Sequence, residues 1–414
     1  MNTSAIQADG EFVEAFFVLR VGAIGDVIHT LPLIQLLREK KPNSQIIYIT
    51  SSELIPLLKY AKVIDEIIPL NLKSGIWNLI KQSLELKNQF SGKEIQEIST
   101  NSSLSTPTPL RGGSKGGIKT PFSEVVVFFG DVLHSKSSST LINLQPSWKT
   151  DLLALVAGFQ KVFKYKKKAN TSTNISTEIS SIHAWQNFAE SLPGSFWDAN
   201  FIKDFIPEKH LPLIELPDEL IHQVKQKLNL NSDSLKIAII TGVGKHRPHR
   251  AWPLAKWIEF LNLLNRSLVE SNKEKKIQCL FLGGRDEQEL SQALLSECAD
   301  LKNIEFLDLT GKLSLLETAS ILGQCKLAIG ADTGPTHLAS ALGVETIALF
   351  GPTSEIRHAP LKGTVISAIK DKGFICHSKC SEKVCKLEES LNCMNQIATK
   401  EVLEKVLNYI HPSI

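Results

Sequence analysis

The chain has 414 residues, 43% apolar and 21% charged, which excludes a wholly disordered, collagen-like or coiled-coil protein and favours two domains over one core. Lys and Arg number 46 against 43 Asp and Glu, a net charge of +3. That balance excludes nucleic-acid binding by bulk charge, so any anion recognition must be local. The richest apolar stretch, Phe16 to Leu37, is broken by Arg20 and Asp26, and no run of about 18 apolar residues exists to span a bilayer. Asp9, Glu11 and Glu14 stand where a secretory leader needs a basic start, so the expected location is cytoplasmic, peripheral at most at the inner face of the membrane, with no transmembrane segment.

Along the chain, the apolar run Phe16 to Leu19, a loop with Gly22, Gly25 and Asp26, and helical spacing from Val27 to Lys40 read as strand, glycine loop and helix. A strand over Gln45–Thr50, a helix over Leu54–Tyr60 and a strand over Val63–Leu70 continue a βαβ pattern. Residues 99–121, rich in Ser, Thr, Pro and Gly, read as a disordered insertion, and the polar tract 166–181 as an exposed loop. Between them lie strands over Val125–Phe129 and Leu141–Gln145 and a helix over Thr150–Val162. Pro207, Pro212 and Pro217 around one short helix mark an interdomain linker, 206–234. After it, strands beginning at Lys236, Gln278, Ile304, Lys326 and Thr346 alternate with four helices, the period of a parallel doubly wound sheet. Two such units form a cleft, and ligands of open α/β sheets bind at strand carboxyl ends, so the loops after strands carry the candidate site.

Three loops concentrate chemistry. In VGAIGDVIHTLP (Val21–Pro32), Asp26 falls where a helix needs an N-cap; it reads either as that cap or as a general base at the cleft mouth, with His29 one turn on. In GADTGPTHLASALG (Gly330–Gly343), Asp332, Thr333, Gly334, Thr336 and His337 gather at a helix start with Pro335 in its first turn, a seat for a diphosphate. In GVGKHRPHRAWP (Gly242–Pro253), Lys245, His246, Arg247, His249 and Arg250 could neutralise a leaving pyrophosphate or form an exposed basic loop. Glu287, in GGRDEQE, reads equally as a nucleoside ligand and as a favourable acid in a first helical turn.

Seven cysteines suggest reduced thiols rather than a disulfide framework, with Cys279, Cys298 and Cys325 in core segments. Cys376, Cys380, Cys385 and Cys393 cluster, but their spacing lacks the paired C-x₂-C knuckles of common zinc modules, so no metal is assigned.

Taken together, VGAIGDVIHTLP, the basic loop leading into WPLAKW, GGRDEQE, the D-T-G-P-x-H block and LFGPTS resemble glycosyltransferase family 9, the family of ADP-heptose:lipopolysaccharide heptosyltransferases. The resemblance implies the GT-B fold, α/β with two facing Rossmann-like doubly wound domains. It puts the acceptor-side unit at 12–210, a nucleotide-sugar unit at 235–395, and a helix at 398–411 returning to the first. It implies inverting, metal-independent transfer without a cofactor, from a nucleotide-diphosphate sugar, ADP-linked, to a glycolipid or glycan acceptor at the inner membrane surface. Asp26 matches the family's catalytic base, with Gly25 and His29 on the acceptor side. Asp332, Thr333, Gly334 and His337 match the donor block, Glu287 a nucleoside contact, and Thr241 a position near the family's Thr or Ser after the strand. Lys245 joins the donor set, and Arg250 stands where relatives usually carry a phosphate-contacting lysine. A sugar-nucleotide 2-epimerase, with the same two-domain fold, and a catalytically silent nucleotide-binding protein are the alternatives.

Overall fold

The computed structural model describes residues 14–91, 139–159, 161–165, 183–190, 192, 197, 199–230, 234–244, 247–270, 276–368 and 393–410. The tracts 99–121 and 166–181, the strand expected at 125–129, and Lys245, His246, Cys376, Cys380 and Cys385 lie outside them.

The first unit runs β1 (Ala15–Leu19), α1 (Ile24–Ile28), α2 (Leu31–Lys40), β2 (Gln45–Thr50), α3 (Ile55–Leu58), β3 (Glu66–Pro69), α4 (Ile76–Ser91), β4 (Ser139–Asn143), α5 (Trp148–Ala157) and β5 (Lys161–Lys164). Helices α6 (Ala184–Glu190), α7 (Ala199–Asp204) and α8 (Asp218–Lys227) lead into the second. That unit holds β6 (Leu235–Ile240), α9 (Leu254–Glu270), β7 (Ile277–Phe281), α10 (Gln288–Glu297), β8 (Ile304–Asp308), α11 (Leu315–Leu322), β9 (Leu327–Ala331), α12 (Gly334–Ala341), β10 (Glu345–Phe350), α13 (Glu355–His358) and β11 (Thr364–Ser367), before α14 (Thr399–Ile410).

Both sheets are wholly parallel, ordered β3-β2-β1-β4-β5 and β8-β7-β6-β9-β10-β11. Strands such as AFFVL and LAIGA are buried almost throughout because helices cover both faces. In each sheet the winding reverses beside the first strand, between β1 and β4 and between β6 and β9, which opens a crevice at their carboxyl ends. The linker is bonded to both units, through Glu215 N–H to Tyr60 O (3.0 Å) and Leu213 N–H to Ala341 O (2.8 Å). Its Leu213, Ile214, Leu216 and Val224 belong to one apolar core with Ile34 and Leu37 of α2 and Leu338 of α12.

Local differences from the sequence reading have physical causes. The helix expected over Val27–Lys40 is two helices: Pro32 cannot donate into a continuing helix, and Thr30 turns the chain, its Oγ1 bonded to Val27 O (2.7 Å) and to the Tyr48 hydroxyl (2.7 Å). The helix expected to reach Val162 ends at Ala157, where Gly158 adopts φ 74° as its cap, and KVFK becomes β5. The last helix, expected to return to the first unit, packs on the second among the described residues. Val402, Val406 and Ile410 of α14 are buried in the second core, against α9, β10 and β11, and the Tyr409 hydroxyl meets Thr364 Oγ1 at 2.9 Å. Its apolar stripe matches the side of the second sheet that α9 leaves open. Cys279, Cys298 and Cys325 are buried free thiols, and Cys393 is buried as well. Among the described residues no helix is long and apolar enough to cross a membrane.

Candidate active site

The carboxyl end of β1 is built around Arg20. Its Nη1 donates to Leu144 O (2.7 Å) and its Nη2 pairs with Asp26 Oδ2 (2.5 Å). Gln145 Oε1 accepts the N–H groups of Val21 (2.9 Å) and Gly22 (3.2 Å), so the glycine loop is tied to the end of β4 across the crevice. Asp26 is not the N-cap: that position belongs to Ala23, held at φ 24°, and Asp26 sits in the first turn of α1 with its side chain 41% exposed. Asp26 is therefore a first-turn acid, favoured there by the helix dipole, that stands at the carboxyl end of β1.

The carboxyl end of β9 has the opposite character. Asp332, 10% exposed, accepts from His337 Nε2 at Oδ1 (2.8 Å) and from Arg250 Nη1 at Oδ2 (3.2 Å). Burial opposes ionisation of Asp332, but the His337 hydrogen bond, with the charges of His337, His358 and Arg250, holds its carboxyl well below the usual carboxylate range. His337 is buried, so its Nε2 hydrogen is committed to Asp332. Thr333 caps α12 through backbone geometry, its Oγ1 3.1 Å from that of Thr336.

The two ends meet. A Cβ on Gly25 would stand 3.0 Å from His337 Cδ2, and one on Gly334 2.9 Å from Ile24 Cβ, so α1 packs on α12 only because both positions lack side chains. His29, read from sequence as sharing a face with Asp26, is buried behind this contact, its ring centroid 4.4 Å from His337, 5.0 Å from His183 and 5.5 Å from His358. Burial, then the neighbouring imidazoles, push His29 far below its ordinary pKa. Burial brings His183 and His358 down to about 4, although the bond from His183 Nε2 to Ala359 O (2.9 Å) opposes this for His183 and the Asp332 charge for His358. Among the described residues no group of three His, Cys, Asp or Glu side chains is arranged to hold a metal ion.

Of the remaining sequence candidates, Thr241 is buried at the end of β6. Glu287 turns both oxygens to backbone, accepting from Gly244 N–H (2.9 Å) and Gly284 N–H (2.8 Å), and it fills the space a side chain on Gly242 would need. It braces the loops after β6 and β7. The structure thus brings Gly25, Asp26, His29, Arg250, Asp332, Thr333, Gly334 and His337 together. Sequence reasoning missed Arg20, Gln145, His183 and His358. A polar or charged residue ending an apolar strand was the available signal for Arg20 and for Gln145; for His183 and His358 there was none.

The sequence profile of Glycosyltransferase family 9 (heptosyltransferase) matches residues 129–390. The chain belongs to glycosyltransferase family 9. Lipooligosaccharide heptosyltransferase 2 of Campylobacter jejuni is 28% identical over 134 residues, 32% of this chain and 41% of that relative, so the match spans less than half of the relative's length. Lipopolysaccharide heptosyltransferase 1 of Campylobacter coli is 24% identical over 94% of this chain and 97% of its own. Among solved structures, the E. coli ADP-heptose lps heptosyltransferase II superposes with a TM-score of 0.62 at 16% identity, covering 96% of this chain and 98% of that one. At that identity the likeness is one of fold, and this family 9 chain shares the two-sheet GT-B architecture.

Proposed function

We propose that the chain is an inverting glycosyltransferase that moves heptose or a related sugar from an ADP-linked donor to a lipopolysaccharide-type glycolipid. The observation that carries the reading is the pairing of an accessible carboxylate, Asp26, with the buried Arg250–Asp332–His337 network across the Gly25–Gly334 contact. In this reading the acceptor hydroxyl attacks the anomeric carbon as the bond from that carbon to the diphosphate oxygen breaks. The electron pair leaves with the nucleoside diphosphate, and the acceptor proton passes to Asp26. Arg20 engages Oδ2 and fixes the carboxylate plane, so Oδ1 is the oxygen assigned to the proton. Charge grows on the diphosphate as the bond breaks, and Arg250, with the start of α12, is aimed to stabilise it. Asp332 and His337 position Arg250 rather than touch the sugar. Thr241 and Glu287 shape the nucleoside side. The family match, the lipopolysaccharide heptosyltransferase relative and a neighbour named for ADP-heptose support this donor and acceptor.

The test is incubation with ADP-, GDP- and UDP-sugars, with and without glycolipid, following release of nucleoside diphosphate. Acceptor-dependent release of ADP that survives a chelator is expected. Free sugar produced without acceptor would overturn transfer in favour of epimerase-type chemistry, and chelator-sensitive turnover would overturn metal independence.

A further inference from the structure

Six tryptophans divide sharply in exposure: Trp185, Trp197, Trp252 and Trp257 are at most 4% exposed, whereas Trp77 is 77% and Trp148 58% exposed. The exposed pair opens two neighbouring helices, since Trp77 lies in the first turn of α4 and Trp148 is the first residue of α5. Both helices pack on one face of the first sheet through Leu79, Leu86, Leu153 and Ala154. Each follows a parallel strand, so their first turns lie at the sheet's carboxyl edge, the edge that carries Asp26. Lys149 joins them by donating to Leu72 O in the loop before α4, its Nζ 5.8 Å from the Trp148 ring centroid. Of seven exposed large apolar side chains among the described residues, four (Ile76, Trp77, Trp148 and Leu155) belong to these two helices, and Leu155 shares a helix face with Trp148, seven residues earlier.

The charge around this patch is one-sided. Residues 70–91 and 148–157 hold Lys73, Lys81, Lys87 and Lys149 against Glu85 and Asp151. Both acids are paired, Glu85 with Lys81 (3.9 Å) and Asp151 with Lys164 of β5 (2.9 Å). Water-exposed tryptophans ringed by lysines suit a bilayer interface, where the indole sits among headgroups and ammonium groups meet lipid phosphate; a protein partner recognised through such a core would show fewer lysines.

We propose that this edge of the first unit docks on an anionic lipid surface, with Ile76, Trp77 and Trp148 entering the headgroup layer and Lys73, Lys81 and Lys149 meeting phosphates. Docking in this way turns the mouth beside Asp26 toward the bilayer and delivers a lipid-linked acceptor along the membrane plane. The inference deepens the proposed function and rests on it only in taking the acceptor to be lipid-linked.

The test is co-sedimentation of the full chain with vesicles of phosphatidylcholine, with and without phosphatidylglycerol, and with no sugar donor or acceptor present. The parent is expected to partition onto the phosphatidylglycerol vesicles, with a blue-shifted tryptophan emission and weaker binding in high salt. The double variant Trp77→Ser, Trp148→Ser should partition at least about tenfold less, and Lys73→Glu with Lys81→Glu should lose the preference for anionic lipid. Because these side chains are exposed, the variants should keep the parent's melting temperature and its transfer to a water-soluble acceptor. Parental vesicle binding by the tryptophan variant, or no binding of the parent at low salt, overturns the proposal. So does quenching of the same tryptophans by a soluble acceptor glycan in place of vesicles. Failure of the transfer reaction in the parent would strike the functional reading instead and leave the vesicle result standing.

Discussion

The two loops that meet at the crevice follow the same plan, strand to short loop to helix beside a winding reversal, yet they treat their carboxylates in opposite ways. Asp26 has one ion-pair partner and a side chain 41% exposed, whereas Asp332 has two partners and is 10% exposed. A carboxylate that must collect a proton has to be reachable by substrate; one that holds an arginine and a histidine in place works best where water cannot compete. The contrast teaches that two acids in equivalent loops are distinguished by what surrounds them.

The largest effect that sharpens this contrast is expected from Asp26→Asn. Turnover should fall about 10²- to 10⁴-fold, since a carboxamide cannot take the acceptor proton. Stability should stay within about 1 kcal/mol of the parent, because the Arg20–Asp26 pair is part-exposed and water screens it. Asp332→Ala should do the reverse of that stability result: it removes the buried carboxylate that His337 Nε2 donates to and should cost about 3 kcal/mol or more in urea unfolding. If the two variants lose stability equally, the distinction between the loops fails.

Acidification probes the buried side of the contact. In the unfolded chain an imidazole takes up its proton near pH 6.5. In the folded chain His183 and His358 do so only near 4, and His29 also lies well below its ordinary value. The unfolded state therefore binds more protons across that window, and stability should be complete above about pH 6.5 and fall toward pH 4. Denaturant unfolding between pH 7.5 and 4.5 measures it, and His183→Phe should lower the slope by up to about one proton. An unchanged slope would remove His183 from the cluster's titration.

The smallest effect is expected from Gly25→Ala. The added methyl would press on His337 at 3.0 Å and should cost about 1–2 kcal/mol, seen as a melting temperature a few degrees lower. A variant as stable as the parent would show that α1 and α12 separate freely.

Much of the second unit was legible because its strands, such as LAIGA and ETIALF, are short apolar runs between helices of clear 3.6-residue period. The first unit was less so. α4 and β5 escaped notice, the latter because KVFK continues an apolar stretch and only the φ 74° of Gly158 separates it from the helix. At the site, glycine loops after strands marked Asp26 and the Asp332–His337 block, since close turns and helix starts demand particular residues locally.

By itself the sequence determined the alternation of strand and helix, the two-unit organisation and the loops in which chemistry concentrates, because periodicity and turn chemistry act over a few residues. Only the tertiary structure decided which residues meet. It brought Arg20 to Leu144, Arg250 to Asp332 across 82 residues, and His29 to His183, and it laid α14 on the second unit. Strand order and the packing of α1 on α12 set those contacts, and both arise from burial of whole faces, a property no local window of sequence contains.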